Sequence, residues 1–237
     1  MKNPLFTRRS ALAVACAVSA AALWGGAAHA EPTPAAKAPA KALSSDEIAD
    51  RVQAFYDKSH AFKAGFTQRY VVKAYAKTID SKGQVIFEKP GKMSWRYTNN
   101  GNRVVSDGKL IRVYEKENKQ MFEQPLSGSQ YPAALSFLVG GAKLKQAFKF
   151  EPMPLDSKQM GFENGYVLKG TPRDATPTFE TILLYVDAST YQVTRVILLD
   201  AQNNRNRFDF LNPEVNVKIP PAEFTFTPPP GTHVVKP

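Results

Sequence analysis

The sequence predicts a mainly β, α+β domain: a large curved antiparallel sheet or unclosed β-barrel, with an N-terminal helix and a short helical lid. Three observations carry that expectation. From Phe62 onward, apolar residues recur with a period of two, the spacing that puts alternate side chains on one face of a strand. These runs are short, closely spaced and separated by polar turns, the pattern of an antiparallel meander. Only two stretches break the rhythm with helical character, one before Ser59 and one at Pro132 to Val139.

The first residues describe an export signal. Lys2, Arg8 and Arg9 form a basic start, Ser10 to Trp24 is apolar and uncharged, and Ala28-His29-Ala30 gives a small-x-small cleavage pattern. The apolar run is short for a membrane span, and no later run reaches the ~18 apolar residues a spanning helix needs. Residues 1–30 are therefore expected to be a signal peptide, with cleavage after Ala30. Arg8-Arg9 raises the twin-arginine route, but Ser10-Ala11-Leu12 continues it poorly and favours the general route. Lipid attachment at Cys16 is the competing reading; Ser10 to Ala15 leave little room for the apolar stretch it requires.

Cys16 is the only cysteine, so cleavage would leave none for disulfides, thiolate metal sites or nucleophiles. Three basic residues would leave with the signal, lowering the net charge from +10 to +7. A positive excess of that size serves solubility or suits an acidic protein face or anionic headgroups. No aromatic-rich nucleic-acid motif accompanies it, so no nucleic-acid partner is expected. Residues 31–42, rich in Pro, Ala and Lys without a large apolar group, read as a flexible tether. Residues 43–237 are then enough for one domain with a sizeable core.

The elements follow in order. Ser44 and Glu47 have capping-box spacing, and Ile48, Val52, Phe55 and Tyr56 form a stripe on a helix ending near Ser59. Phe62, Ala64, Phe66, Gln68, Tyr70 and Val72 then share one face of a strand. Strands continue at Val85 to Phe87, Met93 to Tyr97, Asn102 to Val105, Lys109 to Tyr114 and Gln120 to Glu123, with Ser106-Asp107-Gly108 as a tight turn. A second group comprises Tyr166 to Lys169, Thr178 to Val186, Gln192 to Leu199, Asn206 to Leu211 and Glu223 to Thr227. In the last of these, Phe224 and Phe226 alternate with Thr225 and Thr227 before Pro228-Pro229-Pro230-Gly231 ends the pairing.

Pro132 to Val139 opens with a helix-compatible proline and ends in Gly140-Gly141. It is apolar on nearly every face, so it should be buried. Two roles are open to it: a plug for the open side of a curved sheet, or a lid that moves when a ligand enters.

Catalytic constellations are missing. His29, His60 and His233 lack partners at metal-ligand spacing, no G-x-S-x-G elbow occurs, and Gly140-Gly141-Ala142-Lys143 lacks phosphate-loop spacing. Neither an enzyme, a metal nor a cofactor is expected. Lys143, Lys145 and Lys149 beside Phe148 and Phe150 could make a basic-aromatic patch, although a solvated strand face is the simpler reading. Large apolar groups dominate the strands instead: Phe62, Phe66, Phe87, Trp95, Phe122, Phe179, Phe208, Phe210, Phe224 and Phe226. Most should belong to the core, but a curved sheet lined by such groups can also hold an apolar ligand.

Four motifs, in order, resemble the periplasmic outer-membrane lipoprotein carrier (LolA) family. Phe62 to Gln68 is similar to its F-x-A-x-F-x-Q strand, and Glu88 to Tyr97 to its proline turn leading to Trp and an aromatic. Val104 to Lys109 resembles its V-S-D-G-K hairpin, and Phe224 to Gly231 its C-terminal motif. The resemblance implies an unclosed barrel whose helical lid covers a cavity for the acyl chains of a lipoprotein. It also implies periplasmic uptake from an inner-membrane ABC-type lipoprotein release complex and delivery, as a monomer, to an outer-membrane lipoprotein receptor. Phe66, Phe87 and Trp95, in or beside the family-like strands, and Leu135 and Leu138 on the lid become the expected acyl-chain lining. The family often has arginine just before the proline of the turn, where it bonds lid backbone. Lys89 holds that position here and becomes the lid-latch candidate, with Arg96 as a substitute; lysine offers donors without arginine's planar fork.

Moving a lipid chain into water costs about 0.8 kcal/mol per CH₂, so three chains of family-typical length cost on the order of 30 kcal/mol. Free diffusion across an aqueous compartment is then closed to the cargo, and a carrier needs to shield it, not to react with it. A different reading makes the chain a periplasmic lipid-sensing or protein-interaction module of the same fold that regulates a membrane partner. Bound lipid separates the two.

Overall fold

The computed structural model describes residues 43–127, 135, 137, 138, 140, 143–151 and 161–236. The expected signal and tether lie outside the described residues, as do Pro132, Ala133, Ala134, Ser136 and Val139 of the expected lid.

Helix α1 (Ser45–Lys58) starts on the capping box read from the sequence. The Ser44 hydroxyl accepts from the Glu47 N–H at 3.2 Å, and the Glu47 carboxylate accepts from the Ser44 N–H at 2.7 Å. Two of the helix's unpaired donors are thereby satisfied. Its buried face is Ile48, Ala49, Val52 and Tyr56, with Phe55 packed at the margin. Ser59 ends the helix, its hydroxyl donating back to the Phe55 carbonyl at 2.9 Å.

A first meander follows: β1 (Ala61–Val72), β2 (Lys77–Glu88), β3 (Lys92–Tyr97), β4 (Arg103–Asp107), β5 (Leu110–Glu115) and β6 (Gln120–Pro125). Helix α2 (Leu144–Ala147) leads into β7 (Phe148–Glu151), β8 (Gly165–Pro172), β9 (Thr181–Asp187), β10 (Val193–Leu199) and β11 (Arg205–Val215). The last strand is β12 (His233–Val235). The β4–β5 turn works as the sequence suggests. Gly108 takes φ +94°, and the Asp107 carboxylate accepts from the N–H groups of Lys109 and Leu110, both at 2.9 Å.

All twelve strands form one sheet in the order β12-β6-β5-β4-β3-β2-β1-β11-β10-β9-β8-β7, with β12 and β7 as unjoined ends. The sheet is therefore an unclosed antiparallel structure, with one exception: β12 runs parallel to β6. Pairing of β1 with both β2 and β11 merges the two meanders. Strands β6 and β7 lie towards opposite ends of the order. Between them in the chain, Leu135, Phe137 and Leu138 are buried in the apolar cluster that the strands and α1 build.

One face of the sheet holds that cluster, with Phe62, Ala64 and Phe66 of β1 facing it as predicted. The opposite face is covered by the chain after β11. Ile219 and Phe224 pack on Ala61 and Ile86, and Phe226 meets the Tyr114 ring at 5.3 Å between centroids. Here the expectation of a strand over Glu223 to Thr227 fails. Pro221–Phe224 is a 3-10 turn, and the final pairing occurs further on, at β12. The alternation survives without the ladder: Phe224 is buried and Phe226 half-buried, while Thr225 and Thr227 are exposed.

Two further expectations are corrected. Lys143 and Lys145 belong to the α2 region rather than to a strand face, and they pair with Asp57 and Asp50 of α1, each at 2.7 Å. Phe148 and Phe150 point into the core, so no basic-aromatic patch forms. Phe122, expected among the core aromatics, is 40% exposed because it lies on β6 beside the short end strand.

Candidate functional site

The apolar interior is assembled from alternate residues of neighbouring strands. Phe66 of β1, Phe87 of β2 and Trp95 of β3 are each no more than 2% exposed. Trp95 is central, with ring-centroid distances of 4.9 Å to Phe66, 5.8 Å to Phe87 and 5.5 Å to Phe208, all edge-on. Edge-on contact sets positive ring edges against negative faces and adds to the gain from burial. Phe62 extends the layer, 6.0 Å from Phe87 and 5.6 Å from Phe210. Gly83 makes room for it. A Cβ there would overlap the Arg96 carbonyl oxygen and approach the Phe66 ring to 2.9 Å.

Leu135 and Leu138 are buried in the same cluster, so the structure brings all five expected lining residues together. Hydrogen bonds from the Leu138 N–H to the Leu135 carbonyl (2.9 Å) and from the Gly140 N–H to the Phe137 carbonyl (3.4 Å) give this stretch turn-like winding. Phe137 and Tyr56 were not singled out as site residues, yet they join that stretch to α1, ring to ring at 5.2 Å. Tyr56 was visible as part of the helical stripe, and Phe137 as part of the apolar run. What the sequence could not show is their contact. The Tyr56 hydroxyl accepts from the Val193 N–H at 3.1 Å, and burial pushes its phenol pKa up strongly, the Val193 bond opposing that shift only in part. Tyr56 is therefore a neutral fixed post between helix and sheet.

Lys89 stands at the edge of this interior. Its ammonium donates to the Tyr56 carbonyl at the end of α1, which also accepts from the Ser59 cap N–H at 3.0 Å. A Cβ built on Gly140 would approach Cδ of Lys89 to 3.2 Å, so the aliphatic stem lies beside the turn that holds Leu138. Gly140 has φ +77°, a conformation glycine adopts without steric cost. Burial lowers the Lys89 pKa, with the Asp57 carboxylate opposing and Lys143 adding to that shift. Arg96, the substitute latch, is elsewhere. Alternation turns it away from Trp95, and it pairs with Glu223 of the C-terminal tail at 3.0 Å.

Among the described residues, two buried donors in the strands lack a hydrogen-bond partner, Nε1 of Trp95 in the interior and Nε of Arg103 on the other face. Among the described residues, no group of three or more His, Cys, Asp or Glu side chains comes together to hold a metal. No helix of the described residues is long and apolar enough to cross a membrane.

Fold and interior together define a class: a mostly β protein with one large unclosed antiparallel sheet wrapped on an aromatic core. Residues 57–227 match the family of the outer membrane lipoprotein carrier protein LolA, and the chain belongs to that family. It is a family of binding and transport proteins that carry lipoproteins, not of enzymes. The outer-membrane lipoprotein carrier protein of Bordetella avium is 32% identical over 203 residues, covering 85% of this chain and 92% of its own. That of Cupriavidus necator is 29% identical over 206 residues, with the same coverage of 85% and 92%. Among solved structures, a LolA superfamily protein from Nitrosomonas europaea aligns with 78% of this chain and 99% of its own, at 15% identity and a TM-score of 0.45.

Proposed function

We propose that this protein is a periplasmic carrier, exported on a signal spanning residues 1–30, that holds lipoprotein acyl chains in its aromatic interior. It takes them from an inner-membrane ABC-type release complex and surrenders them to an outer-membrane receptor. Phe66, Phe87, Trp95, Leu135 and Leu138 line the acyl site, and the Leu135 to Gly140 stretch moves aside to admit the chains.

The observation that carries this reading is the composition of the cluster beneath that stretch. Aromatic rings from separate strands meet helix α1 and the short apolar stretch of Leu135, Phe137 and Leu138, rather than a second sheet. Displacing that short stretch exposes part of such an interior, whereas opening a sandwich would cost half the core. Lys89 suits the role of fastener, since one side chain reaches both the end of α1 and the stem of the Gly140 turn. The Tyr56–Phe137 contact is the apolar half of the same fastening.

Mass spectrometry of what co-purifies with the exported protein tests this. The carrier reading expects acylated lipoprotein or intact acyl lipid, released without chemical change. Repeated recovery of an unacylated protein partner with no lipid would replace the carrier with an interaction module of the same fold.

A further inference from the structure

The β1–β2 hairpin outruns its neighbours. On one side β11 starts at Arg205, opposite Val71, and the last tie is the Lys73 N–H donating to the Asn204 side chain at 2.9 Å. On the other side β3 ends at Tyr97, opposite Gly83, and the ties continue through Thr98 and Asn99. The Thr98 N–H and hydroxyl donate to the Lys82 carbonyl at 2.9 and 3.1 Å. The Asn99 side chain accepts from the Lys82 N–H and donates to the Asp80 carbonyl, both at 3.2 Å. Beyond these, the strands pair only with each other, up to a 3-10 turn at Lys73–Tyr75 closed by Ala76 at φ +47°. Residues 73–80 are all exposed, and Tyr75 at the tip is 81% exposed, more than any other large apolar side chain described. Ile79, across from Tyr70, is 42% exposed.

Cations surround this tip. Lys73 and Lys77 flank Tyr75, while Lys82 and Arg205 stand further down the hairpin and beside it. None of the four has a carboxylate partner among the described residues. The nearby acids are engaged: Asp80 with Arg69 at 2.8 Å, Asp209 with Arg195 and Arg207, and Asp200 inside its own β10–β11 turn. Burying Tyr75 would gain free energy, yet nothing within the fold does so.

We infer that the tip Lys73-Ala74-Tyr75-Ala76-Lys77 docks this protein on an anionic membrane surface. A tyrosine ring has an apolar body and a polar tip, which suits the headgroup layer. Unpaired lysines beside it gain from the negative potential of anionic lipids, which fades within a Debye length. A zwitterionic surface offers the first gain without the second. One hairpin tip gives weak, reversible contact, as a protein that must leave the membrane again requires. The inference is independent of cargo, because it concerns a surface remote from the aromatic interior.

The test is flotation of the cargo-free exported protein with vesicles that contain no lipoprotein. The protein should float with phosphatidylglycerol-rich vesicles at low salt, lose binding at high salt, and ignore pure phosphatidylcholine. Lys73→Glu/Lys77→Glu and Tyr75→Ser should each weaken binding several-fold, and their combination roughly tenfold or more, the scale expected from near-surface cations. Their circular dichroism melts should match wild type. Lys109→Glu/Lys116→Glu makes the same change in net charge on other turns and should bind normally. Tyr75→Trp should add blue-shifted emission when anionic vesicles are present. Absence of flotation by the wild type, equal flotation of the tip variants, or an equal loss in the Lys109/Lys116 control would each overturn the inference. Failure here leaves lipoprotein uptake untouched, and failure of uptake leaves this result standing.

Discussion

The Lys89 ammonium donates to the carbonyl oxygen of Tyr56, and the Tyr56 ring in turn meets Phe137 of the Leu135 to Gly140 segment. The lysine thus holds that segment through helix α1 and by its own stem beside Gly140, rather than through a hydrogen bond to segment backbone among the described residues. Arginine's fork is not needed for a single carbonyl acceptor at a helix end.

Lys89→Met keeps most of the stem and removes the charged donor, leaving the Tyr56 carbonyl with only the Ser59 N–H. Stability should fall by about 1–2 kcal/mol in urea titrations. Amide exchange at Leu138 and Gly140 should quicken, and Lys89→Arg should restore it. Unchanged protection in Lys89→Met would show that Lys89 fastens nothing.

Trp95 fills the centre of the interior but leaves its indole N–H without a partner among the described residues. Phenylalanine keeps a ring and removes the unpaired donor, so Trp95→Phe should cost no more than about 1 kcal/mol. Trp95→Ala opens a cavity and should cost about 3–5 kcal/mol. Denaturant unfolding of both variants checks this; equal losses would mean that the N–H has a partner or that the ring packs loosely.

The two faces of the sheet should separate in function. Phe224→Ala removes a buried ring from the tail side and should destabilise by about 3–5 kcal/mol while leaving lipoprotein uptake intact below the melting temperature. Phe66→Ala, of similar cost, should also reduce uptake. Loss of uptake in both at equal residual stability would contradict the assignment of the acyl site to the interior face.

Acid should weaken the sheet at Asp209. Burial works against its charged form, but hydrogen bonds from Arg207 and Arg195 prevail and hold its pKa below the ordinary value. Its contribution is present above the unfolded pKa of about 4 and is lost as pH falls through the lower folded value. Asp209→Asn should therefore be less stable than wild type at neutral pH, and the two should converge as pH falls below about 3. Parallel stability curves across that range would rule out this linkage.

Helix α1 could be read residue by residue because its signals are local: Ser44 and Glu47 cap it, and the stripe faces the core. The burial of Phe62, Ala64 and Phe66 followed from strand alternation alone. Strand β2, by contrast, was legible only at Val85 to Phe87. Its first half, Lys77 to Lys82, is exposed or half-exposed and has no apolar period to betray it. The tail was misread as a strand because alternation records which side chains face a surface, not whether the backbone pairs. Among the expected lining residues, Phe66, Phe87 and Trp95 were legible by alternation and family-like motifs. Their meeting with Phe208 depends on the β1–β11 register, set by residues more than a hundred positions apart. The acceptor of Lys89 was equally hidden, since a helix-end carbonyl has no sequence signature.

The most direct measurement is transfer of an acylated lipoprotein from membranes bearing its release complex to this protein, and onward to receptor-bearing membranes. The wild type should bring the lipoprotein into solution as a defined complex with its acyl chains intact by mass, then deliver it to the receptor membranes. Phe66→Asp, placing a charge in the interior, should fail at the first step while remaining folded by circular dichroism; if it unfolds, Leu138→Asp on the Leu135 to Gly140 segment gives the same comparison. A wild-type protein that leaves all lipoprotein in the donor membrane, although complex, energy source and receptor are active, would contradict the account.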